Sequence, residues 1–519
     1  AINLACTWSN QCGLNYNPHK TVCCFIHPGR KEFEYPSLKI GDTTLAWSSK
    51  MQYLGLKLDK KLQWDDHLEE KCLKAKRLLQ STKRAVGREW GLTPDKIAWI
   101  HHAIVRPQVS YGALVWAHRI KYHHRKKLDS VQRMALVAIF QPMRSTPTAG
   151  MEAILGVQPL HLFCQETALK SAYRLHEVQK WGNQNDMESH RDFHLRDLKG
   201  MLPRGHRPPP RVFKVNRLTI NQLPQGTALE VFSDGSKDGG RTGYGWCITL
   251  GNEVLYEQSR PLDPYSTVFM AEMVAIIDSL TKLEDWLEGT DDQGATVWTD
   301  SRSSIDAIYS PIITQALALE ANNIIQRLQE KGHPISLRWI PGHQDHTGNE
   351  FADFLAKAGR DKPLDTQDPA LYTPPGYVRG KIRDFYRRLW EREWSIYREL
   401  YGHSRRMLPK PCPVELVPVG TPPIQLSRKQ LSLLAEVITG HSLLGKHLSK
   451  WHKHLPQVCR LCGKTKETYL HLVHKCESLT YARFNQPCDP WGECLKYYQE
   501  LLRFTAIPRV QALRRGDVT

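Results

Sequence analysis

The chain has no uninterrupted apolar run near the ~18 residues that a membrane-spanning helix needs, and no secretory signal opens it. A helical membrane protein or a conventionally exported one is therefore not expected. Acidic residues are scarce: 53 against 71 lysines and arginines leave a formal net charge of +18. Such an excess attracts polyanions and makes their binding salt-dependent. A solvated, solubilising surface is the plainer use of the same charge. The 13 cysteines are odd in number and mostly lack partner spacing. That speaks for reduced thiols inside a cell, with one cluster set apart for metal. Nucleus and cytoplasm are not distinguished, since Arg125-Lys126-Lys127 is a weak address. No internal repeat is visible. The chain starts at Ala1 in mid-pattern, without an initiator methionine, and reads as a fragment.

What is present is enough for several domains. At 519 residues, with roughly 100 to 200 per domain, three or four units of a multidomain α+β protein are expected. Residues 1–60 read as short strands and turns, including 22–26 and the run 51–58. Residues 61–185 take helical apolar spacing, as in Leu68, Cys72, Ala75, Leu78 and Leu79. Residues 186–226 contain Pro203-Arg204-Gly205-His206-Arg207-Pro208-Pro209-Pro210-Arg211, which cannot continue a helix and reads as a basic linker. A mixed strand-and-helix domain spans 227–360. Residues 361–425 read as a helical linker with Phe385, Leu389, Trp390 and Trp394, ending in a proline-rich break. A last region, 426–519, carries a cysteine–histidine cluster.

Within 227–360 the carboxylates fall in a pattern. Residues 229–236 read as a strand ending in Asp234 and Gly235, and two further strands at 243–250 and 253–259 join through Gly251-Asn252. A helix over 267–287 places Glu272, Ala275, Ile276 and Ser279 on one face, the one that packs on the sheet. Asp300 closes a strand at 297–300. A strand at 336–340 leads to Pro341-Gly342-His343 and a helix bearing Asp353. Each residue alone has a bland use: a turn for Asp234-Gly235, a helix cap for Asp300, a lysine partner for Glu272, a solvent-facing position for Asp353, a loop histidine at 343. Carboxylates that converge make sense when cations hold them, because mutual repulsion otherwise raises their pKa values and destabilises the fold. Hard oxygen ligands suit Mg²⁺, with Mn²⁺ as the alternative, and two ions about 3.5 to 4 Å apart suit phosphodiester chemistry.

A second cluster is Cys459-x2-Cys462-x8-His471-x4-Cys476. Three thiolates and an imidazole fill a tetrahedral Zn²⁺ shell, which argues for a structural ion. His474 competes with His471 as the ligand, but its spacing to Cys476 is short. Lys446, Lys450, Lys453, Lys464, Lys466 and Lys475 around the cluster suit nucleic acid.

In their order, Ser233-Asp234-Gly235-Ser236, Ala271-Glu272, Thr299-Asp300-Ser301, Gly342-His343, Asn349-Glu350 and Ala352-Asp353 resemble the type I ribonuclease H family. The resemblance implies a central mixed sheet flanked by helices. It also implies two Mg²⁺ ions on Asp234, Glu272, Asp300 and Asp353, and a role for His343 in moving protons or releasing product. Substrate contacts at Gly235, Ser236, Thr267 and Asn349 follow from it as well. One departure is the short stretch between Asp300 and His343, which leaves little room for the extra basic helix that some members use to grip the hybrid.

Asn15-Tyr16-Asn17-Pro18-His19-Lys20-Thr21, Tyr53-Leu54-Gly55-Leu56 with Leu62-Gln63-Trp64, and residues 107–116 with Tyr111-Gly112 resemble non-LTR retrotransposon reverse transcriptases. Ile438-Thr439-Gly440-His441 and Glu467-Thr468 resemble the distal part of such polyproteins. The resemblance implies the end of a palm at 1–60, a thumb at 61–185 and a zinc module at the C-terminal end. The aromatic-x-Asp-Asp turn of that polymerase family is absent: Asp65-Asp66 and Asp291-Asp292 do not fit it. The expectation is an endonuclease cutting the RNA strand of RNA–DNA hybrids, without polymerase activity of its own. A catalytically silent remnant that binds nucleic acid is the alternative. No membrane partner is expected, and protein partners are not legible.

Overall fold

The structure is a computed structural model that describes residues 2–27, 34–87, 90–177, 201–203, 229–288, 293–342, 346–365, 371–400, 407–412, 426–482 and 494–515. His343 and, but for 201–203, the linker read at 186–226 lie outside the described residues. The chain forms two compact units, one of residues 176–186 and 195–381, the other of 1–175, 187–194 and 382–519. Among the described residues no helix is long and apolar enough to cross a membrane.

The first of these units is built on a five-stranded mixed sheet. Its strands are β1 (Leu229–Asp238), β2 (Arg241–Leu250), β3 (Glu253–Leu262), β4 (Ala295–Thr299) and β5 (Ile335–Trp339), in the order β5, β4, β1, β2, β3. β1, β2 and β3 are antiparallel neighbours, whereas β4 runs parallel to both β1 and β5. Among the described residues, the sheet is flanked by α1 (Val268–Leu287), α2 (Arg302–Ile308), α3 (Ala316–Glu330) and α4 (Thr347–Asp361). Val231, Tyr244, Trp246 and Ile248 share one core with α1 and α3, while Phe232 and Cys247 pack with Ala352 and Leu355 of α4. The two cores follow from the period-two alternation of strand side chains.

α1 starts where Thr267 caps it, its hydroxyl accepting from the Met270 N–H at 3.2 Å. Met270, Met273, Ile276, Leu280, Leu283 and Leu287 recur at helical spacing and are all buried. Each contributes roughly 1.5 to 3 kcal/mol by leaving water. Asp278 then fixes the rotation of the helix on the sheet, accepting from Tyr244 Oη at 3.0 Å and Trp246 Nε1 at 2.8 Å. Glu272, Ala275, Ile276 and Ser279 are buried together, as the spacing predicts.

One strand corrects the sequence reading. β1 does not end at Asp234-Gly235 but continues to Asp238, paired through Asp234↔Gly245 and Asp238↔Arg241. What ends near Asp234 is the pairing with β4, whose last partners are Trp298↔Phe232. Between Asp300 and Gly342 the described helices are α2 and α3 alone, and β5 follows, so no extra basic helix stands there.

The other unit is mainly helical. Its helices Asp65–Lys83, Tyr122–Phe140, Thr148–Leu155 and Leu160–Glu177 lie in the stretch read as helical. Among the described residues of 1–60, a helix at Ile2–Gln11 precedes the short strands, and the strand expected at 22–26 is only Val22–Cys23. The pair Lys50–Tyr53 and Leu56–Asp59 forms a hairpin turning on Leu54 and Gly55, both at positive φ. Residues far apart in sequence build one core here: Leu136, Ile139 and Ile154 pack with Leu431, Ile438, Tyr469 and Tyr498. Hydrogen bonds tie the same segments, from Tyr498 Oη to the Ile154 carbonyl at 2.8 Å and from Arg428 Nη1 to the Gly87 carbonyl at 2.6 Å.

Candidate active site and candidate metal centre

Four elements bring the acidic residues together. Asp234 has the strand parity of Phe232 and lies just past the last β1–β4 pair. Asp300 follows the end of β4, Glu272 sits in the second turn of α1, and Asp353 sits on α4. Gly235 lets α1 approach this closely: a Cβ there would stand 2.5 Å from the Glu272 nitrogen and 2.8 Å from the Ala271 Cβ. Gly342 lies against Asp300 in the same way, where a Cβ would come within 2.7 Å of Oδ2.

One oxygen from each of Asp234, Glu272 and Asp300 lies within 4.8 Å of the others. Asp353, on α4, is not one of these three: its charge acts on Asp234, and its Oδ2 accepts from Lys357 Nζ at 2.7 Å. Burial, and then the charge of Asp300, pushes the Asp234 carboxyl up to about 7. Burial, and then the charges of Asp234 and Asp300, pushes Glu272 up to about 9, despite a hydrogen bond from Thr299. Glu272 Oε2 is buried without a hydrogen-bond partner. Like charges crowded around an unsatisfied oxygen fit a divalent cation: the donors are hard, and a cation would relieve both the repulsion and the orphaned lone pair.

The remaining sequence candidates are placed as follows. Ser236 accepts from Arg360 Nη1 of α4 at 3.3 Å. Thr267 Oγ1 accepts from Met270 N–H in the α1 cap, a bond that does not use its own O–H. Asn349, in the first turn of α4, is buried, with Oδ1 unpartnered. Two groups escaped the sequence reading. Trp339 Nε1 donates to the Asp300 carbonyl at 3.0 Å, and the Arg302 guanidinium stacks 4.1 Å from its ring centroid. Thr299 is the other, and its place directly before Asp300 was the available signal.

In the mainly helical unit, Cys459, Cys462, His471 and Cys476 also bring their ligand atoms within 4.8 Å of one another. The turn from Cys459 to Cys462 is closed by Gly463 N–H donating to the Cys459 carbonyl at 2.8 Å. His471 enters from the helix Tyr469–His474, capped by Thr468. Its Nε2 lies 3.3 Å from Cys462 Sγ, and its Nδ1 meets the Thr465 hydroxyl at 2.9 Å. The ring is thus aimed at the thiols and held from behind, as metal-bound imidazoles are. His474 is not part of the group. Burial pushes the Cys459 thiol up to about 12, so it keeps its proton unless a cation compensates the charge.

A third group, Asp65, His123 and His124, is equally close. Lys121 N–H donates to His124 Nδ1 at 3.2 Å, so His124 Nε2 carries the proton that it gives to Asp65 at 2.8 Å. The tautomer that suits this helix start turns a donor, not a lone pair, toward the cluster. It is a hydrogen-bonded brace.

Residues 226–361 match the RNase H family. A ribonuclease H of Herminiimonas arsenicoxydans is 30% identical over 148 residues, covering 25% of this chain and 93% of that protein. The chain belongs to the ribonuclease H family. A ribonuclease H of Nitrosomonas eutropha is 29% identical over 155 residues, covering 26% of this chain and 91% of its own length. Outside this class, a retrovirus-related Pol polyprotein of the type-1 retrotransposable element R1 2 of Nasonia vitripennis is 25% identical over 187 residues. That match takes in 35% of this chain and 44% of the polyprotein. A second R1 polyprotein of the same insect is 23% identical, with 48% of its length matched, so the chain spans about half of these relatives. The resemblance to non-LTR retrotransposon polyproteins is therefore borne out alongside the ribonuclease H domain. A solved ribonuclease H1 from Halobacterium salinarum aligns over 26% of the chain at 21% identity with a TM-score of 0.22. The fold assignment rests on the sheet described above rather than on that alignment.

Proposed function

We propose that this ribonuclease H domain hydrolyses the RNA strand of RNA–DNA hybrids, as part of a reverse transcriptase derived from a retrotransposon. The observation that carries the proposal is the meeting of Asp234, Glu272 and Asp300 within 4.8 Å, with two of the three carboxyls pushed far up. In this reading Asp234, Glu272, Asp300 and Asp353 hold two Mg²⁺ ions, or Mn²⁺ in their place. Bound there, the ions supply Lewis acidity at the scissile phosphate and acidify the attacking water.

The chain's own residues supply placement and selection. Glu272 and Asp234 give up protons when a cation arrives, so cation affinity rises with pH. Asn349 is proposed, on the resemblance alone, to contact the substrate. His343 is proposed, on the resemblance alone, to move protons or release product. The Cys459, Cys462, His471 and Cys476 group is proposed to hold a structural Zn²⁺, which the tetrahedral count and the Thr465 bond behind His471 support. Nothing in the carboxylate set favours the silent remnant.

The test is direct. A labelled RNA–DNA hybrid should be cut in Mg²⁺ and left whole in chelator, and Asp234→Asn or Asp300→Asn should remove the cutting. A hybrid bound but uncut under both conditions, or full activity in either variant, would end the proposal.

A further inference from the structure

Beside the Cys/His group lies a segment that neither candidate metal site uses. The short helix Gly445–Leu448 leads into a turn that carries Trp451, which is 71% exposed. Tryptophan ordinarily contributes by burying its large ring, and an indole left in water forgoes that gain. The turn is nevertheless well held. Trp451 N–H donates to the Leu448 carbonyl at 2.9 Å and His452 N–H to the same carbonyl at 2.8 Å. His447 Nε2 meets Ser145 Oγ at 3.2 Å.

The exposed charge along this segment is of one sign. Lys446, Lys450, His452, Lys453 and His454 are all exposed. From 440 to 482 the only carboxylates are Glu467 and Glu477. Both are engaged, Glu467 with Arg460 at 2.8 Å and Glu477 with Lys464 at 2.7 Å. Glu467 is fully buried and joins the segment to the cysteine turn: it accepts from Gly445 N–H at 2.8 Å and from Arg460 N–H at 3.0 Å.

We propose that Trp451 is a stacking platform for an unpaired base of single-stranded nucleic acid, with Lys446, Lys450 and Lys453 taking the neighbouring phosphates. A base inside a duplex has both faces covered by its neighbours. An indole on an exposed turn meets a base face only when the strand is single. The lysines alone would attract any polyanion; the ring narrows the occupant to a strand with free bases. Glu467 fixes this segment to the turn of Cys459 and Cys462, whose side chains would hold the proposed ion.

The experiment uses the full chain and fluorescence anisotropy on labelled oligomers of about 12 nucleotides, within the usual site sizes for single strands. One is oligodeoxythymidylate and the other its abasic counterpart, which keeps the phosphates and removes the bases. Trp451→Ala should weaken thymidylate binding about tenfold, in the range of single-base stacking, and Trp451→Phe by no more than about threefold. Neither should alter binding of the abasic strand, whereas Lys450→Glu with Lys453→Glu should weaken both oligomers. Trp451→Ala binding thymidylate as tightly as the parent would overturn the proposal. So would an equal loss on the abasic strand, or on an RNA–DNA duplex. Single-stranded DNA is not a substrate of the proposed nuclease, so the two readings stand or fall separately.

Discussion

The two candidate metal sites are built on opposite plans. The acidic site draws Asp234, Glu272 and Asp300 from two strand positions and a helix, with Asp353 proposed from a second helix, and leaves Glu272 Oε2 without a partner. The thiol site takes all four ligands from residues 459–476 and backs its imidazole with Thr465. A dispersed set with unmet oxygens is strained until something charged enters, and can still accept a substrate phosphate. A local set with every ligand supplied by the protein has no position left over, so its ion works for the fold. The same contrast predicts where damage shows. At the acidic site it shows in chemistry, and at the thiol site in stability.

The largest effect should come from the acidic site. Asp300→Asn is expected to lower hybrid cleavage at least about 10³-fold, roughly 4 kcal/mol of barrier, in single-turnover assays in Mg²⁺. Its fold should persist, because removing a negative charge relieves the repulsion that lifts Asp234 and Glu272. Unfolding of this variant would break the comparison.

Cys476→Ser should do the reverse. Losing one ligand of a structural site costs a share of metal affinity that is itself folding free energy, expected at about 3 kcal/mol or more. Hydrogen exchange should show protection lost across 426–482 and kept across 229–361. Uniform loss over both would show that the sites are not separate in energy.

The pH dependence comes next. Asp234 at about 7 and Glu272 at about 9 are raised above the ordinary carboxyl range near 4. Protonated carboxyls therefore favour the metal-free fold. The stabilisation is full below about pH 4 and fades as pH climbs through 7 towards 9, amounting to a few kcal/mol in all. Exchange in peptides from 229–238 and 268–287 should quicken over that range in chelator, and Mg²⁺ should flatten the trend. A metal-free fold that tightens with rising pH would refute the sign.

Gly235→Ala should cost about 1 to 3 kcal/mol, because the new methyl meets the α1 backbone and forces it off the strand. Thermal melting gives the cost, and an accompanying loss of cleavage is expected because Glu272 moves with α1. This position also shows why part of the structure was hidden. Asp234-Gly235 carries turn chemistry, yet β2 pairs across it and the glycine serves close packing instead. The three carboxylates that meet were legible because each sits in a short motif at the end or face of a strongly periodic element. His471 was preferred to His474 by spacing alone, and the geometry agrees. The core shared by 136–154 and 431–501 left no local mark, since contacts between distant segments follow no period along the chain. Thr267 Oγ1 accepts from Met270 N–H to cap α1, which leaves its O–H as a donor, so the cap and a substrate contact at this position are compatible.

The smallest expected effect would sharpen the acidic side of the comparison. Trp339 Nε1 donates to the Asp300 carbonyl, and Arg302 covers the ring. The bond fixes the backbone from which Asp300 projects, at the point where β4 has ended. Trp339→Phe keeps the ring under Arg302 and deletes only the donor, a net loss of about 1 kcal/mol. The expected consequence is about a fivefold drop in cleavage at limiting Mg²⁺ that largely recovers at saturating Mg²⁺, because the ligand is displaced rather than removed. A deficit that is the same at all Mg²⁺ concentrations would mean that Trp339 acts on the nucleic acid and not on the carboxylate.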